Sequence, residues 1–312
     1  MRHYYVSSMI EGINTLIGGL PVGSMLGLYG MAEAGKTTLA FHMIYDRLIE
    51  NNKNPSNALI FDTEGSEYTY IEWLERLNER HGVDVGLKWL HYNPDTLKIS
   101  ETSDNKEHHC YIYVLDVRTL EHILAFHGRG CSISISKVRN TRSGEIKGGK
   151  ITLKPENSLW TTLNDSPLGE IVEEKEIGIL LYDSITNPLT IFGSQEENLP
   201  ARANCTSWWL TRVQELAEAK DLVVIGVMHE TSNPQREWER PGYEGGKTIE
   251  HNFKFVVYIS LGKSKRTPKT PQNDTSWHPT TRELRNARHP SKKPFEMYVK
   301  LDLTDSGFVD TQ

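Results

Sequence analysis

Residues 30–38 read GMAEAGKTT, two glycines five positions apart followed by a lysine and two hydroxyls. Glycines at that spacing let consecutive backbone N–H groups turn inward around an anion, and a helix starting at the lysine adds its positive end. The lysine then reaches the outer phosphates of a nucleoside triphosphate, and the threonine hydroxyl holds a hard divalent cation. Gly30, Met31, Ala32, Glu33, Ala34, Gly35, Lys36, Thr37 and Thr38 are therefore the expected phosphate cradle. A second stretch, LIFDTEGSE at 59–67, runs apolar residues into Asp62, Thr63, Glu64 and Gly65. It reads either as a strand closing in a turn or as a strand end that sets Glu64 to act on a water molecule. A third, IGILLYDSITN at 177–187, is an apolar run ending in Asp183. An acid there can bind Mg2+ directly or through a water.

Such chemistry needs strands whose ends meet at one edge. Each stretch carries an apolar run of the kind buried on both faces of a parallel sheet, and the pattern after Lys36 turns helical. The expected fold is α/β: a mostly parallel twisted sheet with flanking helices and its site at the carboxyl ends of the strands. The 312 residues, 37% apolar and 24% charged, suit a soluble globular domain with a real core. No apolar run reaches the roughly 18–20 residues of a membrane span, and MRHYYVSSMIEG lacks the apolar segment of a signal peptide. Three scattered cysteines, Cys110, Cys131 and Cys205, argue against a disulfide framework and for the cytoplasm. The net charge of −6 argues against a protein that coats nucleic acid indiscriminately but not against one with a local basic surface.

Four segments in order resemble the ATPase core of the RecA/RadA recombinase family: IEGINTLIGGLPVGSMLGLYGMAEAGKTT, FDTEG, ILLYDSITN and LVVIGVMHETSNPQREWERPGYEGGKTIEHNFKFVVYISL. The closing ELRNARHPSKKPFEMYVKLDLTDSGFVD resembles that family's terminal hairpin. The resemblance implies one RecA-like P-loop NTPase domain over 1–312. Its implied activity is that of a DNA-binding, Mg2+-dependent ATPase in or around recombination and repair. ATP and Mg2+ would be its cofactors, and DNA, single-stranded rather than double-stranded, its partner. A homo-oligomer or a partner recombinase would complete it. Glu64 then orients the attacking water, Lys36 and Thr37 serve phosphates and metal, and Asp183 supports Mg2+. About ten residues precede the core, so the likeness is to a core-only, RadB-like RadA paralogue without an N-terminal DNA-binding domain.

Some positions depart from the family pattern. His229 stands where a phosphate-sensing glutamine is usual; it either donates to a phosphate or is a polar strand end. Tyr68 stands near where the family places an arginine that stacks on adenine; its ring either stacks instead or simply packs. Arg288, with Arg285 as alternate, is the candidate for a finger acting across a subunit boundary, or a solvated arginine. Arg202, and Arg236, Trp238 and Arg240 in the loop after His229, are DNA-facing candidates, the aromatic among them suited to base stacking. Two other readings remain: a KaiC-like regulatory ATPase acting on protein partners, and a nucleotide-switched mediator with negligible turnover.

Asp183 lies 119 positions after Glu64, about twice what one helix and strand need, which puts an insertion at about 93–170. Within it, Tyr111–Val117 reads as a strand leading into a helix, and CSISISKV and KITLK read as a β-hairpin. From Gly128 to Lys154 there are seven basic residues and one acid. Lys137, Arg139 and Arg142 are the phosphate-backbone candidates there, against a hairpin that simply packs. His108, His109, Cys110, His122, His127 and Cys131 are too irregularly spaced for a zinc site.

Overall fold

The computed structural model describes residues 4–5, 10–50, 56–93, 96, 98–102, 106–128, 131–139, 146–155, 166–192, 198–231, 242–243, 249, 251–261, 281–292, 294, 296–305 and 307–311. The elements in chain order are β1 (Tyr4–Tyr5), α1 (Glu11–Ile17), β2 (Leu20–Pro21), β3 (Ser24–Gly30), α2 (Lys36–Glu50), β4 (Asn57–Asp62), α3 (Glu67–His81), β5 (Val85–Asn93), β6 (Lys98–Glu101), β7 (Cys110–Asp116) and α4 (Leu120–Phe126). They continue with β8 (Cys131–Arg139), β9 (Ile146–Pro155), α5 (Pro167–Glu174), β10 (Ile177–Asp183), a 3-10 turn (Asn187–Phe192), α6 (Leu199–Ala219), β11 (Val223–Thr231), β12 (Gly242–Tyr243), β13 (Phe255–Leu261), β14 (Thr281–Arg288), β15 (Tyr298–Thr304) and β16 (Gly307–Asp310).

The main sheet runs β16-β15-β14-β13-β3-β11-β10-β4-β7-β5-β6, with β12 paired to β11. From β13 to β5 all neighbours are parallel; β14, β15 and β16 extend one side and β6 the other in antiparallel fashion. Alternation explains the layers. Leu26, Leu28, Ala58, Ile60, Leu181 and Ile225 join one core with residues of α1, α2 and α3. Met25, Tyr29, Leu59, Phe61, Tyr182 and Val224 join the other with α4, α5 and α6. Strands buried on both faces between helices give the doubly wound arrangement, whose crevice lies beyond the carboxyl ends of the strands.

Within the span 93–170, β7 is an interior strand between β4 and β5, with α4 packed below it. The segment beyond α4 forms the expected antiparallel pair β8–β9, a two-stranded sheet of its own. The terminal segment read as a hairpin is three strands, because the turn after Thr304 brings β16 back against β15.

This three-stranded edge clamps α1 at both ends. The Asp310 carboxylate accepts from the Glu11 and Gly12 N–H groups at 2.9 and 2.8 Å. At the other end Lys292 Nζ donates to the Thr15 and Leu16 carbonyls at 3.0 and 2.9 Å, and His289 Nε2 lies 2.8 Å from the Ile17 carbonyl. An anion at the N-terminus and a cation at the C-terminus both suit the helix dipole. Asp310→Ala should lower stability by about 1 kcal/mol in urea denaturation, with Asp310→Asn intermediate. An unchanged midpoint in the alanine variant would contradict the clamp.

Candidate active site

Strand β3 delivers the glycine-rich loop, and α2 begins at Lys36 itself. Gly30 cannot be replaced: a Cβ there would sit 2.0 Å from the Ile259 carbonyl oxygen on the neighbouring strand β13. Lys36 is buried and donates to the Gly30 and Met31 carbonyls at 3.1 and 2.7 Å. Burial lowers its pKa, opposed by the carboxylates of Glu64, Asp183 and Glu230.

Thr37 Oγ1 donates to Asp183 Oδ1 at 3.0 Å, and the Tyr70 hydroxyl donates to Asp183 Oδ2 at 2.8 Å. Asp183 is fully buried at the end of β10. Burial drives its pKa up to about 7; the Tyr70 hydrogen bond opposes this and the Glu64 charge adds to it. Buried charge is tolerated only when paired, and the two groups bonded to Asp183 here are neutral hydroxyls.

The register of β4 on β10 sets Asp62 opposite Asp183. Asp62 accepts from the Glu64, Gly65 and Ser66 N–H groups at 3.1, 2.8 and 2.8 Å and so shapes the turn that carries Glu64 outward. In LIFDTEGSE, Asp62 and Gly65 make the turn, and Glu64 stands on it. Gly65 has φ +80°, which favours glycine.

Glu64 is half open to solvent, and His229 Nε2 lies 2.9 Å from its Oε1. That hydrogen bond is the chief cause of a lowered Glu64 pKa, against burial and helped by Ser184 and Lys36. The carboxylate is therefore held ionised. The His229 N–H donates to Thr186 Oγ1 at 3.2 Å, and its Nε2 lies 3.3 Å from Ser184 Oγ. Thr63 N donates to the Asp183 carbonyl at 2.8 Å, and Ile185 N to the Val227 carbonyl at 2.9 Å, so β4, β10 and β11 are stitched where the site forms.

The structure thus brings Lys36, Thr37, Glu64, Asp183 and His229 together at one edge of the sheet. Tyr68, in the first turn of α3, is 85% exposed, with no packing that would bury its ring. Arg285 donates to its own strand neighbour Glu283 at 2.6 Å and lies over the Tyr298 ring. Arg288 sits at the end of β14, half-buried. Arg202 lies in the first turn of α6, which starts at Leu199, and is half-buried there. Arg142, Arg236, Trp238 and Arg240 lie outside the described residues, and Lys137 and Arg139 are described as backbone only. His127 is in the core, with Nε2 2.7 Å from the Tyr182 hydroxyl and accepting from Trp209 Nε1 at 3.2 Å.

Three participants were missed. Tyr70 reads as one more helical core aromatic, and nothing in its spacing reveals a hydroxyl aimed at Asp183. Glu230 accepts from the Tyr258 hydroxyl at 3.4 Å and acts on Lys36 through space. Arg282, only 5% exposed, donates through Nε to the Ala34 carbonyl of the glycine-rich loop at 3.2 Å. Its signal was present: Arg282, Leu284 and Asn286 share the buried parity of β14.

No family model matches the sequence, and no curated protein matches it. Among solved structures, the crystal structure of the RadB recombinase matches with TM-score 0.57 at 14% sequence identity, over 97% of this chain and 98% of that one. At that identity the likeness concerns the fold, which is RecA-like.

Asp183 yields a test on the protein alone. Its folded-state pKa of about 7 exceeds the ordinary 3.8, so the folded state binds the proton more tightly than the unfolded chain. That contribution is present below pH 4 and lost as pH rises through 7. Without metal or nucleotide, Asp183→Asn should therefore raise the thermal midpoint relative to the parent protein by more at pH 8 than at pH 5. A pH-independent gap would contradict the assignment.

Proposed function

We propose that the chain is a Mg2+-dependent ATP hydrolase of the RecA/RadA type that works on DNA, single-stranded rather than double-stranded, as a homo-oligomer or with a partner recombinase. The observation that carries this reading is the hydrogen bond from Thr37 to Asp183 beneath the loop of Lys36, with Glu64 on the adjoining strand end. A hydroxyl and a carboxylate form an oxygen-only donor pair, the kind hard divalent cations prefer. Charge supports the same conclusion. The carboxylates of Glu64, Asp183 and Glu230 act on Lys36, and a triphosphate brought there without a cation meets their repulsion.

The backbone of Gly30–Gly35 would cradle the phosphates, with Lys36 leaving the Gly30 and Met31 carbonyls for the outer phosphate oxygens. Thr37 and Asp183 would hold Mg2+, which draws charge from the β- and γ-phosphate oxygens. Glu64, kept ionised by His229, would orient a water in line with the γ-phosphate; a loose transition state asks for positioning rather than a strong base. His229, shared between Glu64 and Ser184, is the group that would sense the γ-phosphate. Exposed Tyr68 is free of packing that would keep it from a base. Arg202, Arg236, Trp238 and Arg240 are the proposed DNA contacts, and Arg285 or Arg288 the proposed finger toward a neighbouring subunit. The RecA-like fold, which the solved recombinase shares, supports the reading.

Glu64→Gln should reduce phosphate release by roughly 10²- to 10³-fold while nucleotide affinity stays within about threefold, and Lys36→Ala should weaken binding itself. Equal turnover in the parent protein and Glu64→Gln would remove Glu64 from the mechanism.

A further inference from the structure

The β8–β9 ribbon carries a register that its composition alone does not reveal. Ser132, Ser134 and Ser136 pair with Lys154, Thr152 and Lys150. The alternate positions pair Ile133 with Leu153 and Ile135 with Ile151. Because side-chain parity in a strand is two, every hydroxyl and lysine of the first set shares one face, and the aliphatic residues share the other. The regular register ends after Lys137–Gly149: Arg139 pairs with Ile146, so β9 holds one extra residue at the Lys147–Gly148–Gly149 run. A bulge there twists the distal end away from the regular ladder. Lys137 has the parity of Ile133 and Ile135, not that of Lys150 and Lys154.

We infer that the Ser132–Ser134–Ser136, Thr152, Lys150 and Lys154 face is a rail for the phosphate backbone of a nucleic-acid strand. The proposal rests on the DNA-linked reading above and gives it a specific surface. A two-stranded ribbon with one aliphatic face must cover that face, and β8 runs beside α4 and β9 beside α6. The hydroxyl and lysine face has no apolar residue that requires cover. Hydroxyls interleaved with lysines are the donor set that phosphate oxygens attract, without base readout. From Gly128 to Lys154 seven basic residues face one acid in a chain of net charge −6, so the local complementarity is to a polyanion. Lys150 and Lys154 stand about 14 Å apart at about 3.4 Å per residue. They meet different phosphates and contribute separately.

The experiment is a salt titration of full-length protein on a fluorescent single-stranded oligonucleotide, with ATPase rate measured in parallel. Each lysine removed should reduce the slope of log affinity against log salt by about 0.7, so Lys150→Gln with Lys154→Gln should lower it by about 1.4 with nucleic-acid-free turnover unchanged. Lys150→Arg with Lys154→Arg should keep the slope, which shows that charge and not folding was lost. The exposed pair Lys98→Gln with Lys254→Gln should leave it alone. A slope unchanged by the glutamine pair, or lowered equally by the control pair, overturns the rail. So does equal displacement of the oligonucleotide by polyglutamate at matched charge, which would make the partner an acidic polypeptide. Turnover without any oligonucleotide binding also overturns it but leaves the hydrolase reading intact. A lysine-dependent slope in a protein that hydrolyses nothing supports the rail and sinks the hydrolase.

Discussion

One buried carboxylate organises this molecule. Asp183 ends the central strand β10, out of contact with water, and its two oxygens accept from hydroxyls that arrive from different helices. Thr37 comes from the start of α2 and Tyr70 from the second turn of α3. Both helices pack on the same face of the sheet, so their relative position is fixed by one polar group as well as by the apolar core between them. An isolated charge so deeply buried is unfavourable. Burial accordingly moves the Asp183 pKa to about 7, and the site is poised to gain from a cation that contacts this carboxylate.

The neighbouring strand ends divide the remaining tasks by position. Asp62 is turned back on its own turn by three N–H groups, which frees Glu64, two residues on, to reach the rim. His229 meets Glu64 from β11 and lowers its pKa, so one carboxylate stays charged at the surface while Asp183, behind it, is pushed toward neutrality. Pairs of acids whose environments separate their pKa values are a recurrent basis for dividing roles in a site. The antiparallel edge supports the loop from outside: Arg282 of β14 holds the Ala34 carbonyl, and the ring of Phe308 lies 3.0 Å from where a Gly35 Cβ would be.

Local pattern revealed the glycine-rich loop between β3 and α2, the Glu64 turn, the Asp183 strand end and the β8–β9 pairing, because each is written within ten or so consecutive residues. The insertion of β10 between β4 and β11 is a long-range choice, and short apolar runs such as Ile179–Tyr182 and Val223–Met228 carry no label for their neighbours. Tyr70 was hidden for the same reason: its hydroxyl matters only once α3 lies over β10. Arg282 was hidden because the carbonyl it meets, Ala34, lies 248 positions away in the chain, although the alternation that buries it is written in β14 itself. The alternation in β8 marked a ribbon, but its two faces emerged only with the register, which pairs serines with lysines rather than with isoleucines.

The central claim is that Thr37, Asp183 and Lys36 form one site in which a divalent cation and a triphosphate bind together. Isothermal titration of the protein with ATP, in excess Mg2+ and again in EDTA, tests it most directly. Three carboxylates beside Lys36 predict that affinity falls at least tenfold, about 1.4 kcal/mol, when the cation is removed. Equal affinity in the two buffers would contradict the account.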